Sequence, residues 1–490
     1  MPCKKNYKGK RSAPKKGRTR DMCKKNKGFT AVNKQIVRRG SDIPAGYLFS
    51  NLDLRRLIIP LIIEQILAVT VGMADTMMVS SAGEAATSGV SLVDMINTLL
   101  INLFAALATG GAVVASQYLG QKRADRASAA SNQLLLVTGL ISLVIMALAL
   151  AFRENLLRLL YGDIEADVLA NAMLYLMISA FSYPFLAIYN SCAALFRAMG
   201  NSKISMQAAL GMNVINVFGD ALLIFGFHMG VAGAAIASLA GRMAACLILF
   251  YRLQNPKLSI HIDFKREHWK WNPLMVRNIL HIGIPGGVEN SIFQLGRVLV
   301  VSIITSFGTM QIAANAVANN LDNLGILPGQ AMGLAMITVI GRCVGAMDFK
   351  QADYYAKKLL RLTYLTTGLC CLIVILTMPL TLRLYGLPRE TLRLAAILVL
   401  IHNGLAIFFW PPAFTLSNAL RAANDVTFPM CVSIASMLLM RLGLGCFFAF
   451  YFGLGAIGVW IAMVLDWIVR LSFFVTRYRS GKWRTFYHGD

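Results

Sequence analysis

Two aspartates lie in long apolar stretches of this sequence, where an ionisable side chain is costly. Asp75 ends the stretch IEQILAVTVGMAD, and Asp220 ends AALGMNVINVFGD, in which Asn216 stands one helical turn earlier. A carboxylate facing a low-dielectric cavity has its charged form disfavoured, so Asp75 and Asp220 are candidates for binding a proton or another cation.

Two neutral polar residues, Asn216 and Ser238, lie at the same predicted depth as the two aspartates. At ~1.5 Å per helical residue, Asp75 lies about 30 Å and Asp220 about 24 Å from the inner ends of their helices. Ser238 lies only about 10 Å from the outer end of a descending helix. The purely structural alternatives are that Arg242 neutralises Asp220 and that Asn216 and Ser238 only join helices.

Five further polar residues are candidates for lining a substrate cavity. Glu64 lies on the same helix face as Asp75, about 16 Å away, and Gln65 is the residue after Glu64. Glu289 and Asn290 occupy the corresponding place in the second half of the chain, and Asp322 lies in the polar run NNLDN. The shared role of Glu64 and Glu289 is open between a structural or gating contact and substrate binding.

Composition identifies the elements that must position these residues. Hydrophobic residues make up 57% of the 490 residues and charged residues 14%, with a mean hydropathy of +0.61. Such values are typical of a polytopic membrane protein. Apolar segments of about 20 residues predict twelve spans, near residues 54–80, 88–113, 130–152, 166–190, 204–226, 231–251, 276–303, 312–338, 359–382, 393–416, 428–450 and 455–476.

An internal repeat organises the twelve spans. IPLIIEQ at 59–65 corresponds to IPGGVEN at 284–290, an offset of 225 residues. The offset is 224 residues between Arg197 and Arg421, and it is 225 again near the end of each repeat. Neither candidate acid is repeated, since Val300 corresponds to Asp75 and Leu444 to Asp220. We predict an all-α polytopic membrane protein with twelve transmembrane helices in two six-helix bundles related by a parallel internal repeat.

The domain boundaries follow from this repeat and from charge. We expect a basic disordered cytoplasmic tail (1–45), an N-terminal lobe (46–253), a cytoplasmic linker (254–273), a C-terminal lobe (274–478) and a cytoplasmic C-terminal tail (479–490). Residues 1–42 carry fifteen Lys and Arg against two Asp, out of a net charge of +24 for the chain. We expect the tail to be a solvated arm or to contact anionic lipid headgroups. It has so few aromatic residues that its composition does not favour nucleic-acid binding.

The distribution of Lys and Arg predicts the orientation of the chain. Positive residues concentrate after the even-numbered spans, so both termini are expected in the cytoplasm of a multi-pass protein of the cell membrane, in a bacterium the inner membrane. The nine cysteines form no CxxC pair, and the six histidines show no paired ligand spacing. We expect no metal centre, no cofactor beyond the coupling ion, and no enzyme activity, because no nucleophile–base constellation or phosphate loop is present.

Several motifs, in order and over nearly all of residues 50–484, carry a family resemblance. They are GMADTMMVS at 72–80, GGAVVASQYLGQKRADRASAAS at 110–131, RAMGN at 197–201, IFGFHMGVAGAAIAS at 224–238, IGIPGGVENSIFQLGR at 282–297 and GAIGVWIAMVLDWIVRLSFFVTRYRSGKW at 455–483. Together they resemble the multidrug and toxic compound extrusion (MATE) transporters. The resemblance implies an antiporter that exports cationic amphipathic drugs or toxic organic compounds, in exchange for H⁺ or Na⁺, by alternating access. A monomer can complete this cycle alone, and a monomer is what we expect.

The resemblance also assigns roles to individual residues. It places Asp75, Asp220 and Asn216 at the cation-responsive site of the N-terminal lobe, and Ser238 where the family often has Thr. The resemblance thus makes these four the candidate cation-coupling residues, with Na⁺ a possible ligand of the two aspartates. The chain departs from the family in the second lobe, where span 10 has no acid. Arg441 and Asp466 are expected to form a buried structural pair.

A second reading of the cleft remains open at this point. Arg297 and Arg441 keep the alternative of a flippase for lipid-linked precursors, because such proteins line their cleft with basic residues that bind phosphate.

Overall fold

The computed structural model describes residues 47–81, 83–162, 165–262 and 269–487. The tail 1–45 lies outside the described residues, as do 263–268 of the linker and the last three residues. Within the described residues, twelve helices are long and apolar enough to cross a membrane, which confirms the predicted spans. In chain order they are α1 Asn51–Ser80, α2 Glu84–Gly120, α3 Ala124–Ala151, α4 Ala166–Ala198, α5 Ser202–Gly226, α6 Gly230–Leu253, α7 Pro273–Thr305, α8 Thr309–Gly345, α9 Phe349–Leu384, α10 Arg389–Ala422, α11 Thr427–Tyr451 and α12 Ala456–Arg479.

Local sequence explains where several helices begin. Ser50 and Asp53 form a capping box before α1: the Ser50 backbone N–H and hydroxyl donate to the Asp53 carboxylate, and the Asp53 N–H donates back to Ser50 Oγ. Asn272 caps α7 by accepting from the Met275 N–H, and Pro273 follows at the first helical position. Glycines with positive φ precede α2 and α8 at equivalent places, Gly83 and Gly308.

The two lobes are built alike. In the N-terminal lobe α4 packs against α2, α3 and α6, and in the C-terminal lobe α10 packs against α8, α9 and α12. The fifth helix of each lobe turns π-helical, over Ala221–Gly226 in α5 and Met437–Leu444 in α11. A π-helical turn inside an α-helix often marks a functional position. The π-helical turn of α5 begins directly after Asp220, and that of α11 contains Arg441.

The lobes meet along α2, which packs against α7 and α8. A Cβ added to Gly110 would lie 2.8 Å from the Gly283 nitrogen of α7, so the backbones touch there. We call the face of the bundle where α1 begins, and where the even-numbered helices end, the N-terminal face.

A reciprocal set of contacts joins the lobes at the N-terminal face. The Gln117 amide at the end of α2 donates to the Ala422 carbonyl (3.0 Å) at the end of α10. The Arg342 guanidinium at the end of α8 donates to the Ala198 carbonyl (2.7 and 3.0 Å) at the end of α4. Gln117 corresponds to Arg342 in the repeat and Ala198 to Ala422, so the contact is made twice. We call this set the latch.

Glycines allow the latch helices to touch. A Cβ on Gly120 would collide with the Arg342 carbonyl, and one on Gly345 with the Gln117 carbonyl. These glycines are also repeat-related, so α2 and α8 cross with their backbones in mutual contact. The chain beyond α12 also packs back: Trp483 is 1% exposed and stacks on Tyr478 with ring centroids 5.3 Å apart.

Candidate functional site

The four predicted cation-coupling residues come together in the N-terminal lobe. In the amide orientation that satisfies both of its ends, the Asn216 nitrogen donates to both Asp75 carboxylate oxygens (2.6 and 3.1 Å). The Asn216 oxygen then accepts from Ser238 Oγ at 3.0 Å. One amide thereby links α1, α5 and α6 at a single level of the bundle.

Asp220 completes this group. Its carboxyl group is close enough to interact directly with the Asp75 carboxyl group. Asp220 is 1% exposed, and its Oδ1 has no hydrogen-bond partner among the described residues. Two carboxyl groups in contact repel each other when both are ionised. The pair therefore needs a proton on one member or a cation between the two.

A third acid, Asp94 of α2, belongs to the same electrostatic cluster, and the sequence analysis missed it. Its Oδ1 accepts from Tyr175 and from Asn97, both at 3.2 Å, and Tyr183 donates to Asn97 at 3.0 Å. The Asp94 charge acts on Asp75. The signal was present in the sequence, because Asp94 stands in an apolar span with an amide one turn later.

Arg242 of α6 is the basic member of the cluster, but it does not neutralise Asp220 as the structural alternative required. Its Nη1 donates to Ser182 Oγ at 2.6 Å. Its charge acts on Asp75 and Asp94 without an ion pair to either among the described residues. At full ionisation the cluster holds three carboxylates and one guanidinium, and this excess of negative charge favours a bound cation.

Glu64 and Glu289 make the same contact in the two lobes. Glu64 of α1 pairs with Arg197 of α4 at 3.2 Å, and Ser205 also donates to it at 2.9 Å. Glu289 of α7 pairs with Arg421 of α10 at 2.5 Å. All four side chains are only 10–16% exposed. The repeat thus preserves an ion pair between its first and fourth helices, the contact that the structural interpretation of Glu64 and Glu289 anticipated.

The C-terminal lobe encloses a cavity of about 350 Å³. Glu289, Asn290 and Asp322 line it, as predicted for cavity residues, whereas Glu64 and Gln65 belong to the other lobe. The cavity wall also carries four arginines and several aromatic rings, namely Arg297, Arg421, Arg441, Arg470, Phe293, Trp410, Phe414 and Trp467.

Asp322 forms the acidic end of the cavity. Its Oδ1 accepts from the Asn403 amide at 2.5 Å and lies 3.6 Å from His402 Nδ1. Its Oδ2 has no partner among the described residues, so one oxygen remains available to a ligand.

Arg441 and Asp466 form the expected buried pair, with Nη2 and Oδ2 3.1 Å apart. The structure adds a third member, Arg470, whose Nε donates to Asp466 Oδ1 at 2.8 Å. Asp466 is fully buried, and the two arginines are 6% and 2% exposed. One carboxylate therefore contacts two guanidinium groups beside the cavity, and the three ionised groups together carry one net positive charge.

The architecture defines a class: a polytopic transporter with two repeat-related six-helix lobes and polar clusters inside the membrane-spanning helices. The MatE family model matches residues 60–222 and again 285–447, once in each repeat. The chain therefore belongs to the multidrug and toxic compound extrusion (MATE) family, as its motifs suggested. This is a family of transporters rather than of enzymes.

Individual relatives agree with this assignment. The chain is 27% identical over 430 residues to the uncharacterized transporter YisQ of Bacillus subtilis, covering 86% of this chain and 93% of that protein. It is 25% identical over 448 residues to the probable multidrug resistance protein NorM of Thermotoga maritima, covering 88% and 92%. Among solved structures, an outward-facing multidrug resistance MATE family transporter superposes with a TM-score of 0.82 at 20% identity, over 88% of this chain and 96% of that one.

Proposed function

We propose that this protein is a secondary antiporter that exports cationic amphipathic compounds in exchange for H⁺ or Na⁺. The observation that carries the proposal is the interaction between Asp75 and Asp220. Asn216 donates to Asp75 and accepts from Ser238 beside this pair. Because two adjoining carboxylates repel each other, their charge is balanced either by the coupling ion or by an organic cation bound between the lobes.

Alternating access couples the two occupants. The organic cation binds between the lobes while the aspartates are ionised. Entry of H⁺ or Na⁺ from outside then neutralises Asp75, which weakens the attraction for the organic cation and releases it outward. Asp75 lies on α1, so its change of charge also alters how α1 packs against α5 and α6.

The orientation and setting of the protein belong to the same proposal. The N-terminal face carries most of the positive residues of the connections and is assigned to the cytoplasm, with both termini on that side of a bacterial inner membrane. The latch then closes the cytoplasmic face, and the structure corresponds to an outward-facing state. Each chain holds both lobes, so a monomer surrounded by lipid completes the cycle.

The flippase alternative is not favoured. Three of the four arginines at the C-terminal cavity are paired with acids of the protein, so the described residues form no ring of free basic groups around this cavity. The relatives named as multidrug resistance proteins also favour efflux of small molecules.

Substrate efflux from proteoliposomes tests the proposal, with proton and sodium gradients imposed separately and a fluorescent organic cation such as ethidium inside. The Asp75→Asn and Asp220→Asn variants are expected to lose gradient-driven efflux at least about tenfold. Asp125→Asn, at an exposed position at the start of α3, is the matched control and should keep wild-type efflux. Full gradient-dependent efflux by Asp75→Asn would refute the role of this acid.

A further inference from the structure

The cavity of the C-terminal lobe carries hydrogen-bond donors that the protein does not satisfy. Arg297 of α7 lines the cavity with an exposed side chain, and no ion pair or hydrogen bond is formed by it within the described part of the chain. Arg441 is 6% exposed, yet its Nε has no partner. The charges of Arg297 and Arg470 both act on Arg441, so the three cations face one region.

Two neutral donors lie in the same wall. Trp467 Nε1 and Ser433 Oγ are buried, line the cavity and have no partner among residues 269–487. A buried donor without an acceptor costs about 1–3 kcal/mol in a folded protein, and an acceptor-rich ligand supplies what these groups lack.

The charges around the cavity do not cancel. Four arginines are opposed by three acids, and each acid already has a partner: Glu289 contacts Arg421, Asp466 contacts Arg441 and Arg470, and Asp322 contacts Asn403. Of these four arginines, Arg297 is the one that no acid among the described residues contacts. The excess is positive here, whereas in the Asp75 cluster of the other lobe it is negative.

Aromatic rings form the rest of this wall. Phe293 and Phe414 meet edge to face with centroids 6.3 Å apart, and Trp410 stacks on Phe414 at 4.9 Å. The Arg441 and Arg470 guanidinium groups lie over the Phe293 ring at 5.1 and 5.3 Å. Flat apolar faces beside guanidinium groups suit an aromatic or acyl body that ends in an oxyanion. The cavity volume is near the lower end of the usual range for small-molecule sites.

We propose that this cavity is a binding site for an organic oxyanion, a carboxylate or phosphate ester on an apolar body. Arg297 and the free Nε edge of Arg441 bind the oxyanion, and Phe293 and Phe414 contact the body. The site is distinct from the cation-coupling cluster around Asp75. It extends the proposed substrates from cations to amphipathic compounds that carry an oxyanion.

Equilibrium binding tests this site with one aromatic body in three charge states: 2-naphthoate, neutral 2-naphthylmethanol and 2-naphthylmethylammonium. Calorimetry on the purified full-length protein in detergent is expected to show naphthoate binding at least about tenfold tighter than the alcohol, because a charge-assisted hydrogen bond contributes that much. Arg297→Gln should remove this preference and Arg297→Lys should keep part of it. Arg383→Gln, an exposed arginine at the end of α9 and outside the cavity, should bind like the wild type.

The loss in Arg297→Gln is interpretable because this side chain has no partner within residues 269–487, and a thermal unfolding curve verifies the fold. The proposal is overturned if naphthoate binds no tighter than the alcohol, if the ammonium compound binds tighter than naphthoate, or if Arg297→Gln binds naphthoate like the wild type. These measurements use no ion gradient, so their failure is separate from a failure of the transport proposal.

A competition experiment separates two sources of the oxyanion. Dihexanoyl phosphatidylglycerol displaces naphthoate if the site accepts a lipid headgroup, with dihexanoyl phosphatidylcholine as the control of equal chain length. Naphthoate binding without displacement assigns the site to soluble organic anions.

Discussion

Removing one half of the latch should open the N-terminal face. Gln117 is 5% exposed and donates to the Ala422 carbonyl at 3.0 Å and to Asn424 Oδ1 at 2.9 Å. Gln117→Ala removes two hydrogen bonds and leaves both acceptors unsatisfied in the closed state, while water satisfies them in the open state. We expect the closed state to lose about 1–3 kcal/mol, a shift of about 5- to 150-fold toward the open state.

Spin labels across the N-terminal face can measure this shift. Exposed Arg126 on α3 and Lys350 on α9 are suitable positions, in a background without other reactive cysteines. Electron–electron distance measurements should show a longer distance whose population grows in Gln117→Ala. Asn102→Ala is the matched control, because the Asn102 amide donates to Thr98 within α2 and not across the lobes. An unchanged distance distribution in Gln117→Ala would show that the latch does not hold this face closed.

Two further substitutions test the buried charges of the C-terminal lobe. Glu289→Gln leaves Arg421 without its carboxylate and should lower the unfolding free energy by about 3 kcal/mol. The double variant Glu289→Gln/Arg421→Gln should recover stability, because neither charge is then left unpaired. Absence of this recovery in thermal unfolding would contradict the pairing. Asp466→Asn removes the carboxylate that both Arg441 and Arg470 contact, so the unfolding free energy should fall by about 3–5 kcal/mol in the same measurement. A stability within 1 kcal/mol of wild type would refute the role of Asp466 in holding these two arginines.

Much of the fold could be predicted because its signals are local or periodic. Hydropathy gave twelve spans, and the 225-residue register gave two six-helix halves. The level of Asp75, Asp220, Asn216 and Ser238 followed from counting helical rise along three helices. Asp94 meets the same criterion as Asp75, because it is an acid within an apolar span.

The C-terminal cavity could not be predicted in the same way. Its character depends on which arginine each acid contacts, and these pairs join residues on different helices. The pairing of Arg441 with Asp466 could be predicted from the sequence, but Arg297 and Arg470 stand there as equivalent cations in apolar spans. Only the structure distinguishes Arg470, which contacts Asp466, from Arg297, which contacts no acid among the described residues.

The latch has the geometry of a contact between two identical subunits. Position 117 contacts 422 while its repeat mate 342 contacts 198, which is the pattern of an isologous interface. In a homodimer of identical subunits, one residue type makes both copies of such a contact. In this chain Gln makes one copy and Arg the other, because the two positions belong to different parts of one sequence. The same freedom allows one half to hold an acidic cluster and the other a surplus of positive charge, which two copies of one shorter chain could not do.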